Sequence, residues 1–195
     1  MDQWLEMAVP LEHHQFAPAS PAWSALASGD LGALAKVYEE HHDSIRAFAR
    51  RLVGDEAAED LVHDTFLTLP KAARRWNGES SLRTFLIGIA VNHARHHVRA
   101  AARRRAAMRR WAAEPRSADL SPAEQLDQRV LSNLLVLALD KLSFDHRTVF
   151  VLCDVEERPA PEVSGLLGVP EATVRTRLFH ARKKLRAILE RRGLR

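Results

Sequence analysis

The sequence predicts an all-helical protein built as two small domains. Three observations lead there. Ala, Leu, Arg and Glu dominate the composition, and these residues lose little side-chain freedom in a helix. β-branched and aromatic residues, which suit pleated surfaces, are sparse, with aromatics at 6%. Apolar residues recur at helical spacing in two blocks, parted by residues 111–120, which have no periodicity. A chain of 195 residues, 46% of them hydrophobic, is long enough for two small cores.

Residues 1–29 carry acidic groups and several prolines but no continuous apolar run. They read as a flexible N-terminal arm and not as a signal peptide. Asp30 caps the next element, whose apolar positions are Leu31, Leu34, Tyr38, Ile45, Phe48 and Leu52, with Gly54 closing it. The adjacent pair His41 and His42 marks a break into two helices and reads as surface. Asp55 caps a further helix with the stripe Ala58, Leu61, Val62, Thr65, Phe66 and Leu69. Pro70 ends or kinks it, because proline lacks the N–H and crowds the preceding turn.

A polar loop, Trp76 to Ser81, follows. Ser80 or Ser81 caps a long helix with the stripe Leu82, Phe85, Leu86, Ile89, Ala90 and His93, which runs into an arginine-rich stretch ending near Arg110. These elements make a first domain over residues 30–110. Residues 111–120 read as a linker. The second domain, 121–195, opens on Ser121-Pro122-Ala123-Glu124, a capping box. Its helix continues through Leu126, Val130, Leu134, Leu137 and Leu142, and Ser143 caps another from Phe144 to about Glu156.

A short helix then spans about Pro161 to Leu167 and ends at Gly168, a residue suited to the left-handed turn. Val169-Pro170-Glu171 starts a basic helix with Val174, Leu178, Ala181, Leu185 and Ile188 on its apolar face. Helix, glycine turn and helix form the helix-turn-helix pattern. Hairpins of helices share that pattern without touching DNA.

Charge is distributed unevenly. The formal net charge is +4 and the sequence pI about 9.7, with arginine dense over 95–110 and again over 175–195. Two separated basic segments suit two contacts with nucleic acid; the alternative is two solvated helix faces. The lone Cys153 excludes an internal disulfide and a cysteine-based zinc cluster, and it fits a reducing compartment. No apolar run is long enough to span a membrane, so a cytoplasmic protein is expected.

His93 and His97 are four apart, but no third ligand is evident and no Glu follows His93. No metal, cofactor or enzymatic activity is therefore expected. Phosphate loop, nucleophile elbow and catalytic carboxylate pair are all missing from the sequence.

Three segments carry a family resemblance. Ala57-Ala58-Glu59-Asp60-Leu61-Val62-His63-Asp64-Thr65-Phe66 resembles the polymerase-binding helix of sigma region two. Trp76 to Leu86, followed by Ile89-Ala90-Val91-Asn92, resembles the loop and helix that open and read the minus-ten element. Val149 to Glu156, then Leu166-Leu167-Gly168-Val169-Pro170 and Thr173 to Leu178 with Ala181-Arg182, resembles region four, which reads the minus-thirty-five element.

The chain is thus identified as a member of the sigma-70 family. It has no room for the larger members' intervening domain, which places it in the extracytoplasmic-function (ECF) group. It departs from the family pattern at Pro70, where an aromatic residue usually continues the helix, and at His96, where an acidic one is common. Arg158, Pro159 and Pro161 replace the usual Leu, Ser and acidic positions, so the usual cap of that helix is lost.

The resemblance implies core RNA polymerase (clamp coiled coil and flap), promoter DNA and an anti-sigma factor as partners. Asp60, His63, Asp64 and Leu67 lie off the apolar stripe of their helix, and the resemblance assigns them to the polymerase. Trp76, Asn77, Gly78, Ser80, Ser81 and Asn92 are the candidates for the minus-ten bases, with Trp76 or Phe85 as a stacking wall. Arg95, Arg99 and Arg103 to Arg105 suit phosphates. Thr173, Arg175, Thr176, Arg177, Phe179 and His180 are candidates for base edges, and Arg182 and Lys183 for the DNA backbone. Arg177 could instead pair with an acidic neighbour. Two other readings stay open: a free-standing helix-turn-helix regulator, and an adaptor that binds only proteins.

Overall fold

A computed structural model of the chain describes residues 20–76, 80–109 and 135–191, with the backbone alone at 105–109. Among the described residues the elements are helical and no strand occurs. The linker at 111–120 and the capping box at Ser121 lie outside the described residues.

Helix α1, Pro21–Ser28, lies within the span expected to be a flexible arm. The Ser20 hydroxyl accepts from the Trp23 amide at 3.1 Å, Pro21 occupies the first turn, and Gly29 closes the helix at φ 91°. Trp23 and Leu26 are buried, and the Trp23 indole donates to the Ala73 carbonyl at 3.2 Å. Residues 20–29 are therefore part of the fold, because two large apolar groups find cover.

Helix α2 runs unbroken over Leu31–Val53, capped by Asp30, whose carboxylate accepts from the Ala33 amide at 2.7 Å. The expected break at His41 does not occur. His41 lies one turn from Val37 and from Ile45 on the buried face, and is itself only 5% exposed. Helix α3, Asp55–Ala73, has Gly54 at its cap position, so Asp55 sits in the first turn and pairs with Arg50. There its charge complements the helix dipole. Pro70 does not end α3. The last turn is held from outside, by burial of Leu69 and Ala73 and by the Trp23 indole.

Helix α4, Leu82–Arg109, starts at Ser81, whose hydroxyl accepts from the Thr84 amide at 3.1 Å. Its buried face includes Leu86, Ile87, Ala90, Val91 and Ala94. Phe85 and His93, expected on that face, lie half-buried at its flank. Helices α2, α3 and α4 pack on one another, and α1 closes the end of α3. Each fully buried Leu, Ile or Phe contributes roughly 1.5–3 kcal/mol of transfer free energy.

The second unit is smaller. A helical stub at 135–139 contributes Ala138 and Leu139 to its core. Helix α5, Phe144–Phe150, continues into a π-helical turn, Val151–Val155. Ser143 takes the cap position of α5, but its hydroxyl meets His146 Nδ1 at 3.0 Å. Helix α6, Ala160–Leu167, starts without a side-chain cap and ends at Gly168, at φ 64° and ψ 37°. That left-handed geometry strains any residue with a Cβ. Helix α7, Glu171–Glu190, then lays Val174, Ala181 and Leu185 into the core. Among the described residues no helix is long and apolar enough to cross a membrane.

Candidate nucleic-acid interface

Three surfaces gather the candidate residues. On α3, Asp60, His63, Asp64 and Leu67 stand exposed along one strip, with Leu67 at 63%. Sequence reasoning placed Leu31 and Tyr38 in the core. The structure instead leaves them 78% and 38% exposed, beside that strip. Leu34, His63, Phe66 and Leu67 complete a shallow pocket of about 390 Å³. Tyr38 rests edge-on against Phe66 at 4.9 Å between centroids. Periodicity identified the face of α2 but not where its covering helices end. The result is a standing apolar patch bordered by carboxylates, suited to a partner that is both apolar and basic.

The second surface lies at the start of α4. Asn77 and Gly78 fall outside the described residues. Trp76 is half-buried, its ring 4.2 Å from Trp23 and 5.8 Å from Phe85. Its indole N–H donates to the Ser80 hydroxyl at 3.2 Å. Trp76 thus ties the two ends of the loop together and leans on α1. Sequence reasoning missed Trp23; its capped start at Ser20 and Pro21 was the available signal. Ser81 is engaged as the α4 cap. Asn92 is exposed and lines a cleft of about 900 Å³ with Thr84, Phe85 and Gly88. Arg95, Arg99 and Arg103 continue from Asn92 at helical spacing, half-buried at Arg95 and exposed at the other two. This makes one basic stripe of the kind that tracks a phosphate backbone. Arg104 is also exposed.

The third surface is α7. Phe179 is 64% exposed, and Thr176, His180 and Lys183 are exposed with it. The Thr176 hydroxyl donates to the Ala172 carbonyl at 2.9 Å, and Thr173 is half-buried. The arginines differ in how they are held. Arg175 has a 73% exposed side chain paired with Glu171 one turn earlier. Arg177, only 26% exposed, reaches Asp145 of α5 at 2.8 Å. Arg182 makes two bonds to Asp154, at 2.8 and 2.5 Å, and this pairing raises its pKa above the ordinary value. The Arg177–Asp145 pair braces α7 on α5 in the absence of DNA. The Cys153 thiol is half-buried against the core, and burial pushes its pKa up.

Comparison with known proteins agrees with this geometry. The Sigma-70 region 2 family model matches residues 37–104, and the Sigma-70, region 4 model matches residues 132–185. The chain is 31% identical over 174 residues to the ECF RNA polymerase sigma factor SigE of Mycolicibacterium smegmatis, covering 84% of this chain and 65% of that protein. It thus spans just under two thirds of that relative's length. It is 30% identical to the RNA polymerase sigma factor CarQ of Myxococcus xanthus, over 83% of this chain and 91% of CarQ.

Two solved structures share the fold. One is CnrH in complex with the cytosolic domain of CnrY, with a TM-score of 0.60 at 24% identity, covering 87% of this chain and 95% of that one. The other is the sigma factor RpoE of Bartonella quintana in complex with the anti-sigma factor NepR, with a TM-score of 0.61 at 24% identity, covering 80% and 96%.

Proposed function

This chain belongs to the ECF group of the sigma-70 family, and from that premise we propose that it binds core RNA polymerase and directs it to a promoter. The first domain, residues 30–110 preceded by α1, docks on the polymerase clamp through the patch on α2 and α3. Asp60 and Asp64 meet basic groups there, and Leu67, Leu31 and Tyr38 bury apolar area. The loop before α4 receives a splayed minus-ten base, Asn92 offers both donors and an acceptor, and Arg95 and Arg99 hold phosphates. The second domain sets α7 in the major groove at the minus-thirty-five element. Arg175, Thr176 and Phe179 face base edges, and Lys183 meets backbone.

One observation carries the reading: the molecule exposes surfaces of opposite chemistry, apolar and acidic on α2 and α3, basic on α4 and α7. A protein that must hold a protein partner and a polyanion together needs both. The protein acts in the cytoplasm, without enzymatic activity of its own. An anti-sigma factor holds it inactive by covering both polymerase-binding surfaces. Reconstitution with purified core polymerase on genomic templates tests the reading. Transcription should start at discrete sites preceded by two spaced elements. Failure to bind core polymerase at low salt would overturn it.

A further inference from the structure

Helix α1 carries none of the residues assigned to polymerase or to DNA, and it lies outside residues 37–104, which the family model matches. Its Trp23, only 5% exposed, nevertheless reaches both ends of the loop before α4. The ring lies 4.2 Å from that of Trp76, which precedes the loop, and 6.2 Å from that of Phe85, one turn into α4. Trp76, Ser80 and Phe85 line the 900 Å³ cleft together with Asn92, and Trp23 does not. Trp23 thus stands behind the aromatic wall and forms no part of it.

The polar bonds converge on the same place. The Trp23 indole N–H and the Trp76 amide donate to one carbonyl, that of Ala73, each at 3.2 Å. A carbonyl oxygen has two lone pairs, so both bonds are made together. In return, Arg74 Nε donates to the Ala27 carbonyl of α1 at 3.0 Å. This end of α3 is weak on its own. Pro70 has no N–H to give the carbonyl of Phe66, so the ladder lacks a rung one turn before Ala73. The amides of Arg75 and Trp76 then bond only three residues back, a tighter and poorer geometry.

From this convergence, and resting on the promoter-reading function above, we infer that α1 is a brace for base capture and that Trp23 is its positioning residue, fixing Trp76, Ser80 and Phe85 before DNA arrives. The physical reason is preorganisation. A base that leaves the strand gives up its stacking, and the pocket must return that energy. A wall that has to be ordered at the same moment returns less. Trp76 is only half-buried, and its own N–H is spent on the Ser80 hydroxyl across the loop, so its place depends on the ring behind it. A plain core residue would sustain the fold alone. A positioning residue sustains strand capture at constant affinity for polymerase.

The test uses the full chain and three variants, each checked for fold by circular dichroism. W23L removes ring and N–H, and W23F keeps a ring but loses the N–H. S20A uncaps α1 at a residue that does not line the cleft. In the free protein, amide hydrogen exchange at residues 73–76 and 80–85 should speed up about tenfold or more in W23L and less in W23F and S20A, while residues 58–66 of α3 stay within about twofold. In complex with core polymerase, W23L should bind a fluorescent single strand bearing the minus-ten element of a mapped start site about five- to twentyfold more weakly. W23F and S20A should fall between it and wild type, and affinity for core polymerase should hold within about twofold. Exchange raised evenly across the domain, with polymerase and strand binding falling together, overturns the brace and makes Trp23 a core residue only; S20A decides this where W23L fails to fold. Normal strand capture by both W23L and S20A overturns the role in base capture. If the wild-type complex captures no promoter strand, the functional reading fails, and the exchange result alone confirms or rejects the brace.

Discussion

In the first domain, three large apolar side chains stand in solvent, Leu31, Tyr38 and Leu67, while in the second Phe179 is the one such residue among those described. The charges are arranged the other way. On α7 three arginines already hold carboxylates: Arg175 with Glu171, Arg177 with Asp145 and Arg182 with Asp154. On the proposed function, the first domain keeps a docking surface ready, at the cost of exposed apolar area. On the same proposal, the second keeps its basic surface partly neutralised, so DNA phosphates would have to displace resident carboxylates. A surface that binds by desolvation gains little from being masked. A cationic surface left bare binds any polyanion, since phosphate contacts carry no sequence information. Internal pairing lowers that indiscriminate affinity and leaves discrimination to the groups that face outward.

The sharpest way to break the contrast is at Leu67. The side chain is exposed, so L67E should leave the melting temperature nearly unchanged. Burying a carboxylate in an apolar contact should cost about 2 kcal/mol or more of binding, roughly a thirtyfold loss of affinity for core polymerase. Binding to a minus-thirty-five duplex by the same variant should stay at the wild-type level. Equal affinity for polymerase in a titration of labelled protein would remove α3 from the interface.

A smaller effect separates two arginines of α7. R175A removes an exposed cation and should weaken the minus-thirty-five duplex by about 1–3 kcal/mol if it reads a base, with little change in stability. R177A removes a brace between α7 and α5. It should lower stability by less than about 1 kcal/mol, as for a partly exposed pair, and change DNA affinity less than R175A does. Fluorescence anisotropy against salt resolves the pair. If R177A proves the more damaging to binding at every salt concentration, Arg177 leaves Asp145 to meet DNA.

The sequence carried much of the second domain's geometry. Gly168 was readable as a left-handed turn because few other residues tolerate φ 64°. Proline and glutamate after it marked a new helix start, and Val174, Ala181 and Leu185 fell on one face. A serine cap for α4 was legible too, though not which of Ser80 and Ser81 supplies it. The misplacement of Leu31 and Tyr38 in the first domain has a plain cause. Periodicity gives the apolar side of a helix but not the extent of what covers it, so Leu31 and Tyr38 were assigned to a core they border. Trp23 was missed because a helix of eight residues shows too few turns to display a period, and its cover comes from Trp76 and Ala73, far along the chain. The pairing of Glu156 with Arg83 was beyond reach for the same reason. An ion pair between residues more than seventy apart leaves no local pattern.

The smallest effect probes the second domain alone, through His146. Its ring lies 6.1 Å from that of His180, and its Nδ1 meets the Ser143 hydroxyl at the start of α5. Burial, then the positive fields of His180, Arg177 and Lys184, push its pKa below the ordinary 6.5, opposed by Asp145. The folded state thus resists a proton that the unfolded chain accepts. The unfolded state binds more protons below pH 6.5, so stability falls as pH drops through that value and is fully present above it. In the first domain Glu59 is held below its ordinary value by hydrogen bonding to Arg46, and that pairing weakens only in the carboxylate range. Thermal melts between pH 7.5 and 5.5 should therefore show the second domain losing stability. H146Q should flatten the second domain's slope. A slope that survives this substitution unchanged would place the proton elsewhere and deny His146 the role.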